Sequence, residues 1–134
     1  MSRATRCISF APNDTVLHAL KMMEDKNVGA VLVKEGDSLV GIFTERQYAR
    51  KVFLKGRSSP KTRIREVMET DVICVGPEKT AEACMAIMTE KRIRHLPVLR
   101  DDYLVGLISI GDLVKSIIAD REFTIEQLEH YIRG

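Results

Sequence analysis

The sequence predicts a mixed α/β (α+β) fold: two copies of one β-α-β-β-α unit, each a small mixed sheet with helices packed on it. Three observations predict it. Residues 8–52, moved along by 65 positions, lie on residues 73–117 without a gap. Pro12 falls on Pro77, Thr15 on Thr80, Met23 on Met88, Lys26 on Lys91 and Val33 on Val98, and Leu39-Val40-Gly41 falls on Leu104-Val105-Gly106. Within each copy a stretch of 3.6-residue apolar period gives way to apolar runs of strand length. Those runs are continuous rather than alternating, as in strands buried on both faces. A duplicated unit this short must bury its apolar face against its copy, and the cleft between copies is the natural place for a ligand.

Repeat 1 is expected over residues 7–56. Residues 7–10 read as a short strand stopped by Pro12. Asp14 or Thr15 can cap a helix whose apolar positions are Val16, Ala19, Leu20 and Met23. Ala30-Val31-Leu32-Val33 is the next strand, and Glu35-Gly36-Asp37 is a hairpin turn into Leu39-Val40-Gly41-Ile42-Phe43. A second helix is expected from about Thr44 to Leu54, ended by Gly56. A linker over residues 57–70 contains Ser58-Ser59-Pro60 and a short helical signal at residues 63–68. Repeat 2, over residues 71–120, repeats the plan from a strand beginning at Val72. Its first helix turns Ala81, Cys84, Met85 and Met88 inward, and Glu82 suits the positive helix start. Leu96-Pro97-Val98-Leu99 is the matching strand, where proline marks an edge or strand-start position, and Asp101-Asp102 makes the turn. A separate C-terminal helix is expected over residues 121–134. Thr124-Ile125-Glu126-Gln127 is a capping-box pattern there, and Ile125, Leu128 and Ile132 form one apolar stripe suited to the chain's own core or to a second subunit.

With 134 residues, 45% hydrophobic and 30% charged, the chain can bury roughly two-thirds of its unfolded surface. The net charge of +2 does not by itself call for a polyanionic partner. Cys7, Cys74 and Cys84 are an odd set without CxxC or zinc-finger spacing, as expected of reduced thiols in a cytoplasmic protein. No apolar run reaches the ~20 residues of a membrane span, and no signal peptide is read at the start.

The chemistry concentrates where each copy turns from its last strand into its last helix. The two strings are Gly41-Ile42-Phe43-Thr44-Glu45-Arg46-Gln47 and Gly106-Leu107-Ile108-Ser109-Ile110-Gly111-Asp112. Thr-x-x-Gln and Ser-x-x-Asp are helix-capping patterns in their own right. Such a turn also presents free backbone N–H groups and a positive dipole to a phosphate. At Asp112, a carboxylate one turn in can accept two hydrogen bonds from a vicinal diol such as ribose, while Gly111 keeps the turn open. Gln47, in the first copy, is neutral. Lys91-Arg92-Ile93-Arg94-His95 precedes the second copy's strand at the same mouth of the sheet as Ser109. Such a run usually reads as a solvated helix end, but at this mouth of the sheet Arg94 and His95 are also placed to meet a phosphate. Its counterpart, Asn27-Val28-Gly29-Ala30, is small and uncharged, suited to a flat aromatic ring.

The Arg94-His95-Leu96-Pro97-Val98 string, the residue 106–112 string and the gapless repeat together resemble a tandem pair of CBS domains, of the cystathionine β-synthase type, over residues 7–119. The resemblance implies a Bateman module: two repeats about a pseudo-twofold axis, with adenine nucleotides bound in the clefts between them and two modules commonly paired as a homodimer. It implies that Asp112 binds the ribose hydroxyls, and Ser109 the ribose or α-phosphate. Cys7 and Ile8 frame the adenine, Val28, Gly29 and Ala30 line its other side, Leu107 lies beneath it, and Arg94 and His95 meet the phosphates. The second cleft, with Thr44, Gln47, Val72, Ile73 and Ile93, departs from the pattern at Gln47 and is expected to be weaker or empty. Among family ligands, which include ADP and S-adenosylmethionine, AMP or NAD is preferred, with ATP possible, because the Arg94–His95 pair is a modest charge for a triphosphate.

The expected function is therefore that of a stand-alone regulatory sensor, reporting to an unidentified protein. An enzyme is not expected: no nucleophile sits beside a base, no metal-ligand cluster is read, and His18 and His130 lie on helices without partners for catalysis. The competing reading is a nucleic-acid or acidic-protein module using residues 46–65. That stretch holds Arg46, Arg50, Lys51, Lys55, Arg57, Lys61, Arg63 and Arg65 and no acidic residue. Such a stretch can track phosphates, but with only Tyr48 and Phe53 nearby to stack on bases, specific nucleic-acid recognition is disfavoured.

Overall fold

The computed structural model describes residues 8–133, with side chains described as far as Arg121. The chain divides between Ile73 and Cys74 into two compact units, one per repeat.

The first unit contains β1 (Ser9–Phe10), α1 (Val16–Lys26), β2 (Ala30–Glu35), β3 (Ser38–Thr44) and α2 (Glu45–Gln47). Its sheet has the order β1-β2-β3, with β1 parallel and β3 antiparallel to β2. Leu32 pairs with Ser9 on one side and Ile42 on the other. Val16, Ala19 and Met23, at helical spacing on α1, close over Val31, Val33 and Phe43 to make the core. Thr15, of the two candidate caps, is the N-cap, and its hydroxyl accepts from His18 N–H. Asp14 instead accepts from Ala11 N–H at 2.9 Å. The C-cap, Asn27, is left-handed at φ 53, a conformation asparagine tolerates better than most residues.

The helix expected after Thr44 is α-helical only through Gln47, then π-helical over Tyr48–Phe53. Its wide turns show in Leu54 N–H to Ala49 O, 3.0 Å, and Arg57 N–H to Val52 O, 2.9 Å. Val52 is buried, whereas Phe53 and Leu54 are 69% and 73% exposed. Gly56, at φ 66, follows the helix end as expected.

The linker is part of this unit's architecture. Its helical signal is a single 3-10 turn, Ile64–Glu66, and Ile64 and Val67 join the core. Thr62 O accepts from Val16 N–H and Ser59 O from Leu17 N–H, at 2.9 and 3.1 Å. These carbonyls satisfy first-turn amides of α1 that have no partner within the helix. Farther on, Ile42 and Glu69 exchange both backbone bonds, at 2.9 and 2.8 Å, along the outer edge of β3.

The second unit contains α3 (Ala81–Lys91), β4 (His95–Arg100), β5 (Tyr103–Ser109) and α4 (Ile110–Arg133). Ala81, Cys84 and Met88 are buried, as are Leu96, Val98, Ile108 and Leu113, while Met85 is half-buried. Its named sheet is the β4–β5 hairpin. The strand expected from Val72 is reduced to one bridging residue, Val75, parallel to Val98. Proline explains the loss. In the first unit Leu32 N–H donates to Ile8 O, and the position corresponding to Leu32 is Pro97, which has no N–H to give. The hairpin turn puts Asp101 and Asp102 at φ 50 and 68, the paired positive angles of a type I′ turn.

The C-terminal helix expected as a separate element is the continuation of α4, which runs unbroken from Ile110 to Arg133. Residues 113–133 contain neither glycine nor proline, so nothing local ends the helix before Thr124. The stripe of Ile125, Leu128 and Ile132, and His130, lie outside the described side chains. Among the described residues no helix is long and apolar enough to cross a membrane.

Candidate functional site

The β5–α4 turn is built by reciprocal capping. Asp112 N–H donates to Ser109 Oγ at 3.2 Å, and Ser109 N–H donates to Asp112 Oδ2 at 3.1 Å. The two residues earmarked for a ligand thus also start the helix. Capping engages only Oδ2 of the carboxylate; a carboxylate has two oxygens with about four acceptor positions, so Asp112 keeps acceptor capacity.

Hairpin register brings the cationic residues to the same end. His95 pairs with Ser109, and Ile110 N–H donates to Arg94 O at 2.9 Å. Arg94 is exposed and His95 half-buried. Leu107, 5% exposed, is mainly a core residue of β5, two positions before Ser109. Gly111 has no steric need for glycine within the fold: a Cβ there would meet only Ser109 Oγ, at 3.7 Å.

The first unit repeats this geometry with different chemistry. Ala30 pairs with Thr44, and Glu45 N–H donates to Gly29 O at 3.1 Å. Thr44 N–H donates to Gln47 Oε1 at 3.1 Å, and the Thr44 hydroxyl donates to the same oxygen. Gln47 therefore turns its one acceptor oxygen back into the cap, leaving an amide nitrogen that can only donate. Ile8 lies beside β2, its carbonyl accepting from Leu32 N–H. It packs, with Val28, against the core. So Ile8, Val28, Gly29 and Ala30 belong to the first unit, and Arg94, His95, Leu107, Ser109, Gly111 and Asp112 to the second. Cys7 lies outside the described residues.

Burial pushes the Cys74 and Cys84 thiols up, and Lys79 pulls slightly the other way at Cys84. Both cysteines are free thiols, and raised values keep such groups protonated and poorly nucleophilic. His18 is exposed and meets the Phe10 ring edge-on, with centroids 5.0 Å apart. Among the described residues no group of His, Cys, Asp and Glu is arranged to hold a metal ion. Part of the basic stretch is engaged within the first unit: Arg57 pairs with Glu66 at 3.2 Å, and Arg63 donates to Asn13 O at 2.9 Å.

Comparison with known proteins also finds two repeats in the chain. The CBS-domain family model matches residues 1–53 and 64–119. The CBS domain-containing protein CBSX3, mitochondrial, of Arabidopsis thaliana is 42% identical over 127 residues, covering 91% of this chain and 62% of its own length. The chain thus spans less than two-thirds of that relative. YhcV, a CBS domain-containing protein of Bacillus subtilis, is 34% identical over 81% of this chain and 77% of its own. A solved structure of a protein with CBS domains from Burkholderia ambifaria MC40-6 is 53% identical, with a TM-score of 0.84 over 87% of this chain and 86% of its own. With two repeats, their strand–helix turns and these matches in agreement, the chain belongs to the CBS-domain family and carries a pair of CBS repeats.

Proposed function

We propose that this CBS pair is a regulatory module that binds an adenine nucleotide, AMP or NAD in preference to ATP. Asp112 takes the ribose hydroxyls, Ser109 the ribose or α-phosphate, and Arg94 and His95 the phosphates, while Ile8, Val28, Gly29 and Ala30 of the other repeat line the base. Cys7 and Leu107 complete the proposed set. The observation that carries this reading is the shared end of the β4–β5 hairpin. There a half-engaged carboxylate and a hydroxyl occupy one turn, with His95 at the start of the strand paired with it and Arg94 just before that start.

Hydrogen bonds to a charged group contribute about 1.5–3 kcal/mol each, enough for one carboxylate to decide whether a ribose is held. Binding then acts by favouring one arrangement of the protein over another, reported to a protein partner by the module or by its homodimer. Calorimetry with AMP, NAD and ATP tests the assignment. Asp112→Asn keeps an oxygen for Ser109 N–H, and so keeps the cap, but removes the charge. We expect micromolar-range binding to the wild type and a loss of about tenfold or more in the variant. No binding of any of the three below millimolar concentration sinks the sensor reading. Binding that Asp112→Asn leaves intact sinks the site.

A further inference from the structure

The last helix of each repeat carries exposed apolar side chains at the same two positions. Under the shift of 65, Ala49 falls on Val114 and Phe53 on Ile118. In the first unit Ala49 and Phe53 are exposed, as is Leu54 beside them. In the second, Val114 and Ile118 are 39% and 50% exposed. Neither pair serves the core, whose inward positions on these helices include Val52 and Leu113. Residues four apart are neighbours on a helix surface, so each repeat turns one apolar stripe outward. Single exposed apolar residues are ordinary; a stripe kept at matched positions of two diverged copies marks a surface that meets a partner.

The charge around the two stripes differs. Residues 46–57 hold five basic residues and no acidic one, whereas the matching residues 111–122 hold two basic and three acidic. Beyond them α4 continues with Glu126 and Glu129. Arg50, Lys51 and Lys55, next to the first stripe, are exposed. Two copies joined first repeat to first repeat would set these cations against one another, and like charges facing across an interface are strongly unfavourable. First repeat against second repeat removes that repulsion and still covers apolar surface with apolar surface.

We propose that the homodimer pairs unlike repeats: the Ala49–Phe53 stripe of one copy docks on the Val114–Ile118 stripe of the other. This inference rests on the homodimer named under the proposed function and specifies its arrangement. In a twofold dimer the contact is made twice, once in each direction. On α4 the stripe begins two residues after Asp112. The carboxylate assigned to the nucleotide and the surface covered by the second copy therefore share one helix, which gives ligand binding a short route to the dimer contact.

Sedimentation velocity of the whole chain, without nucleotide, tests the arrangement. The wild type is expected to dimerise, and raising NaCl from about 50 to about 500 mM should weaken the dimer about fivefold or more, because opposite charges face each other across the contact. Lys51→Glu/Lys55→Glu sets acid against acid and should weaken it about tenfold or more. Adding Glu122→Lys/Glu126→Lys to that variant should recover most of the loss. Phe53→Ser, which removes an apolar anchor, should also cost about tenfold. Salt that leaves the wild-type dimer unchanged or strengthens it overturns the proposal without recourse to any variant. A dimer strengthened by Lys51→Glu/Lys55→Glu pairs like repeats, and one indifferent to Phe53→Ser uses another face; either result overturns it too. A wild type that stays monomeric at every concentration overturns the homodimer itself, an outcome distinct from a dimer of the wrong arrangement.

Discussion

Gly41 sits under the chain that leaves the first repeat. A Cβ built there would lie 2.6 Å from Met68 Sδ and 3.1 Å from Glu69 O. The methionine can swing aside, but that carbonyl is fixed by its bond to Ile42 N–H. Gly41→Ala is therefore expected to destabilise the protein by about 1–3 kcal/mol, as overpacking does. Urea unfolding measures this, and an unshifted midpoint would mean that the linker moves away at no cost. Gly111 is the opposite case, since nothing in the fold crowds a Cβ there. In a helix, alanine in place of glycine stabilises by about 0.5–1 kcal/mol. If Gly111→Ala raises the midpoint and yet weakens AMP or NAD binding, glycine is kept there for the approach of the ligand. If binding is unchanged, the openness of this turn has no part in recognition.

The linker shows the same logic in an element. Residues 57–70 carry many exposed cations, yet they cap α1, contribute Ile64 and Val67 to the core, and bury Thr62, whose hydroxyl donates to Ser58 O at 2.7 Å. Glu66 secures the turn by accepting from Arg63 N–H at 2.7 Å and from Arg57 at 3.2 Å. The Arg63 amide, with the Arg57 guanidinium, holds its carboxyl below the usual carboxylate range. A lowered value in the folded state means that the contribution is present above the ordinary carboxylate pKa and is lost as pH falls through the folded one. Wild type should thus lose more stability than Glu66→Gln between neutral pH and pH about 3, read from urea midpoints at each pH; parallel pH profiles would remove Glu66 from the account. Legibility in the sequence follows the range of each interaction. Thr15 was readable as a cap because its partner is three residues away, whereas Ser59 and Thr62 complete the same helix end from the far side of the repeat. The π-helical turns were not readable, because Tyr48 and Val52 share a face in either helix type. The Thr124 pattern suggested a new helix because capping motifs do not reveal whether the preceding residues are already helical.

At the scale of the whole molecule, duplication made the fold legible, because an internal shift of 65 residues tests every element against a second copy. The same comparison placed Arg94 and His95 beside Ser109, since strand start and strand end must meet across a hairpin. Hidden from it was the direction of the Gln47 side chain, which depends on Thr44 donating twice to one oxygen. That detail gives the asymmetry a chemical form: the second repeat's turn presents a carboxylate acceptor oxygen, and the first repeat's turn presents an amide donor. Gln47→Asp should convert one into the other. Aspartate at this position can cap Thr44 as Asp112 caps Ser109, so the helix start survives while an acceptor oxygen is added. The wild type is expected to bind one adenine nucleotide per chain, and Gln47→Asp to gain a second, weaker site, weaker because Gly29 and Ala30 stand where the second repeat has Arg94 and His95. Calorimetric stoichiometry of AMP reads the result directly, with circular dichroism to confirm that the variant is folded. A stoichiometry that stays at one would show that the carboxylate alone does not make a site, and that the paired cations select the turn that is used.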